Sequence, residues 1–446
     1  MEIKQLLNLI KSEEKNIQLN SRLLDVYSGN LLGYVKQSLS EEISPESFKV
    51  AQHRLPSINL LEQIVKKLSK VYSDLPKRSC SEKLDDETVQ FYLQNSNLNE
   101  SLSKAETLLN LQKRCAIEPY VDNGVFQFRV LAAHEFMVLS DDDQNPNRVT
   151  HFVKFMGNQK KDNHTVNVYW VYTDSEFIIV DSDGDVLQNN LNPYNIIPFV
   201  YLNSDSFSLL PKPDVDSFNN AVLIPKLLGD LCHSAAFMSR SIIFGVDVDT
   251  TELKNSPDVM WNIRSVEGDN KKPQIGTIEP KVDIQNVLSL ISSVTSGWLA
   301  NKGIKPGSVG SLTVENVASG ISKIVDEAET SAVVDKNRIL LVKAEKQLWK
   351  LVSVIHNVLL PTGILTIQKG LSQNLNVSVM FPIQQPIKDP TEKRNELKFK
   401  LDNKLTSYTR ALKEANLDLS EDEIMKLKLE IEQEQNIKQE PKPNLE

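Results

Sequence analysis

The 446-residue chain is 40% hydrophobic and 24% charged, an ordinary soluble composition with length for two or three separate cores. Its net charge of −9 and pI near 5.4 argue against capture of nucleic acid by bulk charge, which needs clustered Lys and Arg. The three cysteines, Cys80, Cys115 and Cys232, are widely spaced without a CxxC pair, which argues against a disulfide framework or a zinc site and for a reducing compartment.

The opening MEIKQLLNLIKSEEK is amphipathic and broken by charge, unlike a signal peptide, and no run approaches the ~18 apolar residues of a membrane span. Residues 1–115 read as mostly helical: Leu6, Leu7 and Ile10, then Leu23, Leu24 and Tyr27, recur at helical spacing. Ser57 is placed to cap a helix whose Ile58, Leu61, Ile64, Val65, Leu68 and Tyr72 form one stripe. A third helical region spans about Asp85 to Arg114.

From Ala116 to Tyr201 the period changes to two, in VFQFRVL, HFVKFM, TVNVYWVYT and EFIIVD, separated by Asn/Asp/Gly turns. This predicts an antiparallel β region, closed by the extended NPYNIIPFVYL. Asp214 to Arg240 and Val282 to Asn301 then carry helical patterns. Between them lie three runs of strand composition, SIIFGVDV, VMWNIRSV and PQIGTI. Residues Asn301 to Thr313 hold Gly303, Gly307 and Gly310 around Pro306 and read as a flexible loop.

Ser311 or Thr313 is expected to cap a helix running to Leu359, with a kink near Gly320 or Ser331. LTIQ and NVSVMF are expected to pair as closing strands, followed by a stiff stretch with Pro382, Pro386 and Pro390. One helix over Glu392 to Ala415 and a last helix capped by Ser420 with Glu423 complete the pattern, before a polar tail.

Catalytic motifs are missing from this sequence: there is no GxSxG, GxxxxGK[ST], GxGxxG or HExxH. The string Asp181-Ser182-Asp183-Gly184-Asp185 departs from calcium-loop spacing and reads as a hairpin turn, as Asp141-Asp142-Asp143 reads as a solvated one. His53, His134, His151, His164, His233 and His356 are scattered, and Cys232 with His233 reads as helix packing. No enzyme, metal or cofactor is expected. Lys302 and Lys305, set among glycines, are either solvated or brief contacts to a phosphate backbone; Lys271 and Lys272 have the same ambiguity.

The order of these parts resembles the portal proteins of tailed bacteriophages over nearly the whole chain. The resembling segments are HRLPSINLLEQIVKKLSKVYSDLPKR, NPYNIIPFVYL, the helix–insert–helix block, SLTVENVASGISKIVDEAET and FPIQQPIKDPTEKRNELKFKLDNKLTSYTRALKEANLDLSEDEI with its Pro-rich start. The resemblance implies an α+β, mainly helical, ring-forming fold. Its parts would be a wing (1–213), stem helices (214–240 and 281–301) around a β clip (241–280), and a tunnel loop (302–312). A long wing helix with a closing β pair (313–385) and a crown (386–446) would follow.

It further implies a ring of about twelve subunits at one capsid vertex of the virion, assembled in the host cytoplasm. Implied partners are double-stranded DNA in the channel, the terminase large subunit, the major capsid protein and adaptor or neck proteins, with no membrane. Lys302, Lys305, Ser308 and Ser311 would face DNA, with acidic Asp283 and Glu315 near the channel easing its passage. Asp247, Asp249, Trp261, Arg264, Lys271 and Lys272 of the clip would meet partners. The alternatives are another ring-forming virion component, such as an adaptor or capsid-associated scaffold, and a hydrolase with a site assembled only in space.

Overall fold

The computed structural model describes residues 2–80, 82–161, 164–238, 242–246, 274–278, 283–305, 320–373, 375–382, 390–415 and 424–431. Its contacts define two units, Met1–Glu315 with Glu327–Pro382, and Asn316–Asp326 with Ile383–Glu446.

The first unit begins with helices α1 (Ile3–Ser12), α2 (Glu14–Asp25), α3 (Leu31–Glu42), α4 (Pro45–Ala51) and α5 (Leu60–Leu68). Leu61, Ile64, Val65 and Leu68 are buried as the stripe requires, but Ile58 is exposed and Tyr72 sits in a separate 3-10 turn, Val71–Ser73. The cap of α5 is Asn59, not Ser57. Its Oδ1 accepts the Glu62 amide (3.1 Å) while its Nδ2 donates to the Val26 carbonyl (2.8 Å), so one carboxamide both caps the helix and ties it to the end of α2.

Strand β1 (Lys77–Cys80) follows, then α6 (Lys83–Asn95) and α7 (Leu98–Gln112), two helices where one region was expected. The break is at Asn97. Its amide donates to the Gln127 side chain (3.0 Å), and its carboxamide exchanges bonds with the Phe128 backbone (2.8 and 3.0 Å). Bonding a strand edge removes this residue from helical register.

The β region is β2 (Arg114–Asp122), β3 (Val125–Ala132), β4 (Phe136–Leu139), β5 (His151–Lys161), β6 (His164–Tyr172), β7 (Glu176–Asp181), β8 (Val186–Leu191) and β9 (Val200–Asn203). They form two antiparallel sheets, β3-β2-β9 and β4-β5-β6-β7-β8. Hairpins join most neighbours; the long-range partner is β9, which NPYNIIPFVYL carries back to β2 with Tyr201 opposite Ala116. Asn123 (φ 49°) and Gly124 (φ 80°) make the two-residue turn between β2 and β3.

Helix α8 (Val215–Met238), strands β10 (Ile242–Val246) and β11 (Gln274–Ile278), α9 (Ile284–Asn301), α10 (Gly320–Leu359) and β12 (Val377–Met380) follow. No interruption marks α10 at Ser331. Its Leu341, Leu348, Trp349, Val352 and Ile355 fill the core with Leu98 and Leu102 of α7 and Phe126 and Phe128 of β3. Within that core Glu345 receives Arg78, the Tyr72 hydroxyl (3.1 Å) and the Trp349 indole N–H (3.4 Å), so its charge is paired and bonded. LTIQ does not pair with NVSVMF. β12 pairs instead with β1, Val377 opposite Cys80, while the Thr366 amide donates to the Gly124 carbonyl (2.9 Å) and holds LTIQ against the β2–β3 turn.

In the second unit the expected single helix is two, α11 (Pro390–Asp402) and α12 (Tyr408–Ala415). Lys404 turns left-handed (φ 56°), and the Leu405 amide reaches back to the Lys400 carbonyl (2.8 Å), a helix-ending motif that glycine alone would have advertised. Residues 424–431 are helical. The proposed caps at Ser311, Thr313 and Ser420 lie outside the described residues, as does the Pro386 stretch.

Candidate functional site

The block that set the sequence apart is a pair of helices, α8 and α9, joined through the antiparallel strands β10 and β11, with Ile242 opposite Ile278 and Val246 opposite Gln274. The middle run VMWNIRSV and the residues Asp247, Asp249, Trp261, Arg264, Lys271 and Lys272 lie outside the described residues.

The two helices are locked together at their base. Asp214 caps α8, its Oδ1 accepting the Ser217 amide (3.2 Å) and its Oδ2 the Ser217 hydroxyl (2.9 Å). The buried Ser217 oxygen accepts the Trp298 indole N–H from α9 (3.2 Å), and the Lys302 ammonium pairs with Asp214. The first turn of α8 thus meets the last turn of α9, which makes the pair antiparallel there. Burial would raise the Asp214 carboxyl, but the Lys302 charge and the Ser217 bonds outweigh it and hold the group below its ordinary range.

Past α9 the chain turns at Gly303 (φ 68°), with Gly303 N–H to Ala300 O (2.9 Å) and Ile304 N–H to Leu299 O (3.0 Å). Ile304 is fully buried, and Thr330 Oγ1 donates to the Gly303 carbonyl (3.0 Å). The start of the expected flexible loop is therefore anchored structure. Lys302 belongs to the helix clamp and is not a free loop cation, because a partly buried carboxylate lies within its reach. Lys305 is exposed; Ser308, Ser311 and Glu315 lie outside the described residues. Asp283 caps α9 by accepting the Asn286 amide (3.1 Å).

Further along α8, Lys226 pairs with Glu42 and the His233 ring bonds Arg54 (2.8 Å). Cys232 is exposed and does not pack as the apolar pattern implied, while the half-buried His233 holds a structural place beside Arg54. Gly229 sits where a Cβ would meet Leu55 Cδ2 at 2.5 Å. Pro225 lies inside α8 and withholds a donor from Ala221.

The remaining chemical candidates resolve into structure. Asp181 is buried in the β7–β8 turn and accepts the amides of Asp183 (3.1 Å) and Asp185 (2.9 Å), while the Lys161 ammonium sits among all three carboxylates. Asp142 likewise accepts the amides of Gln144 and Asn145 (3.0 Å each). His356 is a core residue between the Tyr92 hydroxyl (2.9 Å) and the Lys369 carbonyl (2.7 Å), and burial lowers its pKa. Among the described residues no group of His, Cys, Asp and Glu could hold a metal, and no helix is long and apolar enough to cross a membrane. The Asp214–Ser217–Trp298–Lys302 cluster escaped the sequence reading, although Asp-Val-Asp-Ser at the head of a helix is a capping signal.

No protein-family model and no curated protein matches the chain. Among solved structures it is similar to a chain described as "Virion of native gene transfer agent (GTA) particle", at 11% identity and TM-score 0.37, covering 84% of this chain and 94% of that one. It is also similar to a chain from "Neck of empty GTA particle computed with C6 symmetry", at 10% identity and TM-score 0.36, covering 84% and 95%.

Proposed function

We propose that the protein is a portal-type virion subunit, about twelve copies of which close a ring at one capsid vertex. The observation that carries this reading is the clamped helix pair rising into a two-stranded tip. Two strands bury little apolar surface by themselves, so such a tip is stabilised by pairing with its neighbours in an assembly. Around a ring, α8 and α9 become the channel wall and the β10–β11 insert a docking collar for the terminase large subunit and then for adaptor or neck proteins.

In this arrangement Lys305, Ser308 and Ser311 face passing DNA, while Lys302 fixes the loop to the stem base. The N-terminal helices and the two sheets form the wing that meets the major capsid protein. The work is mechanical: the chain guides and holds a genome and catalyses nothing.

The test is to shorten residues 306–311 and follow both assembly and packaging. Intact rings with impaired DNA packaging or retention support the conduit. Unchanged packaging contradicts it, and so would an ability to join capsids already filled, which is the behaviour of an adaptor.

A further inference from the structure

One face of α10 has a charge opposite to that of the chain as a whole. Lys336, Ile339, Lys343, Lys346, Gln347 and Lys350 are all exposed. At 3.6 residues per turn they fall within an arc of about 100°, and the four lysines span about 21 Å of helix. Leu341, Ala344, Leu348, Val352 and Ile355 are buried on the opposite face, which fixes the rotation of the helix. None of the four lysines has an ion-pair partner among the described residues. The acid nearest in sequence on the exposed side, Asp335, is taken by Arg338 (2.8 Å), and Glu345 is buried with Arg78. In a chain of net charge −9, four ammonium groups in a row with no ion-pair partner among the described residues are a local inversion, with Asp205 and Asp174 the acids that line the depressions beside Lys343 and Lys350.

We infer that this stripe is a docking surface for the phosphate backbone of duplex DNA, bound without regard to sequence. Protein interfaces are depleted in Lys and enriched in aromatic residues and Arg, and the stripe offers a lone exposed apolar side chain, Ile339. Phosphates in a row suit it better, since mobile point charges gain by releasing counterions and need no fixed geometry. Gln347 lies between the lysines and borders surface depressions of about 240 and 650 Å³, adding a neutral amide donor beside the charges. The ligand follows from the charge row alone and is independent of the ring reading.

The test uses the full-length protein and fluorescence anisotropy with a labelled duplex of arbitrary sequence, titrated at several salt concentrations. The triple variant Lys343→Ala, Lys346→Ala, Lys350→Ala is compared with a charge-matched control, Lys15→Ala, Lys49→Ala, Lys104→Ala, whose lysines are exposed on other elements. The stripe variant is expected to bind about tenfold or more weakly, with a log–log salt slope reduced by about 2.7, and the control to bind nearly as the parent does. Absence of binding by the parent at low salt overturns the inference, as does equal loss in both variants. A stripe variant that keeps its DNA affinity but changes its assembly mass also overturns it, because the stripe is then a protein contact.

Discussion

Replacing Lys302 with Met removes the ammonium from Asp214 while keeping most of the aliphatic stem. In the parent, Asp214 and Lys302 side chains are 13% and 23% exposed, so the pair is too buried to be screened like a surface bridge and not buried enough to reach the full cost of a core pair. The two Ser217 bonds remain and offset part of the loss. A charge-assisted bond removed in this setting costs about 2 kcal/mol at neutral pH. The assay is urea unfolding followed by tryptophan fluorescence, with Trp298 reporting from within the cluster. The pH dependence carries the stricter test. The folded pKa of Asp214 is depressed, so its stabilisation is present above the unfolded carboxylate value and lost as pH falls through the folded one. In the variant the lowering charge is gone and burial raises the group, so the gap between parent and variant narrows on acidification. A Lys302→Met protein as stable as the parent at pH 7, or a gap that does not shrink in acid, refutes the clamp.

Asn59→Ala should cost about 1–2 kcal/mol of helix and fold stability, and Ser57→Ala under about 0.5, measured by the same unfolding assay; the reverse order restores Ser57 as the cap. Gly124→Ala places a methyl group 2.5 Å from Thr366 Oγ1 and 3.0 Å from its backbone nitrogen at φ 80°, so a loss of about 2 kcal/mol is expected, and a neutral result would mean that the turn can relax. The α10 lysine variant should lose DNA affinity without loss of unfolding stability, because its side chains are exposed and have no ion-pair partner among the described residues.

Periodicity made the helices and hairpins of this chain legible. The α5 stripe, the β5 to β7 alternation and the two helices around an insert all write their geometry into neighbouring residues. What escaped was set by distance along the chain. β12 chose β1 about three hundred residues away over LTIQ beside it, and Asn97 broke a helix to serve a strand edge that begins after Gly124. Lys404 ended a helix without the glycine that usually marks such a turn. At the base of the α8–α9 pair the sequence presented Lys302 as one of two lysines in a glycine-rich loop. Its partner Asp214 lies before α8, at the other end of the helix–insert–helix block, and only the folded helix pair brings the two together.

The proposed ring would be seen in electron micrographs of the purified full-length protein, with solution mass from the same sample. End views with about twelvefold symmetry around an open channel are expected, and a mass about twelve times the 50.3 kDa subunit. A monomer or dimer that persists at high concentration would contradict it.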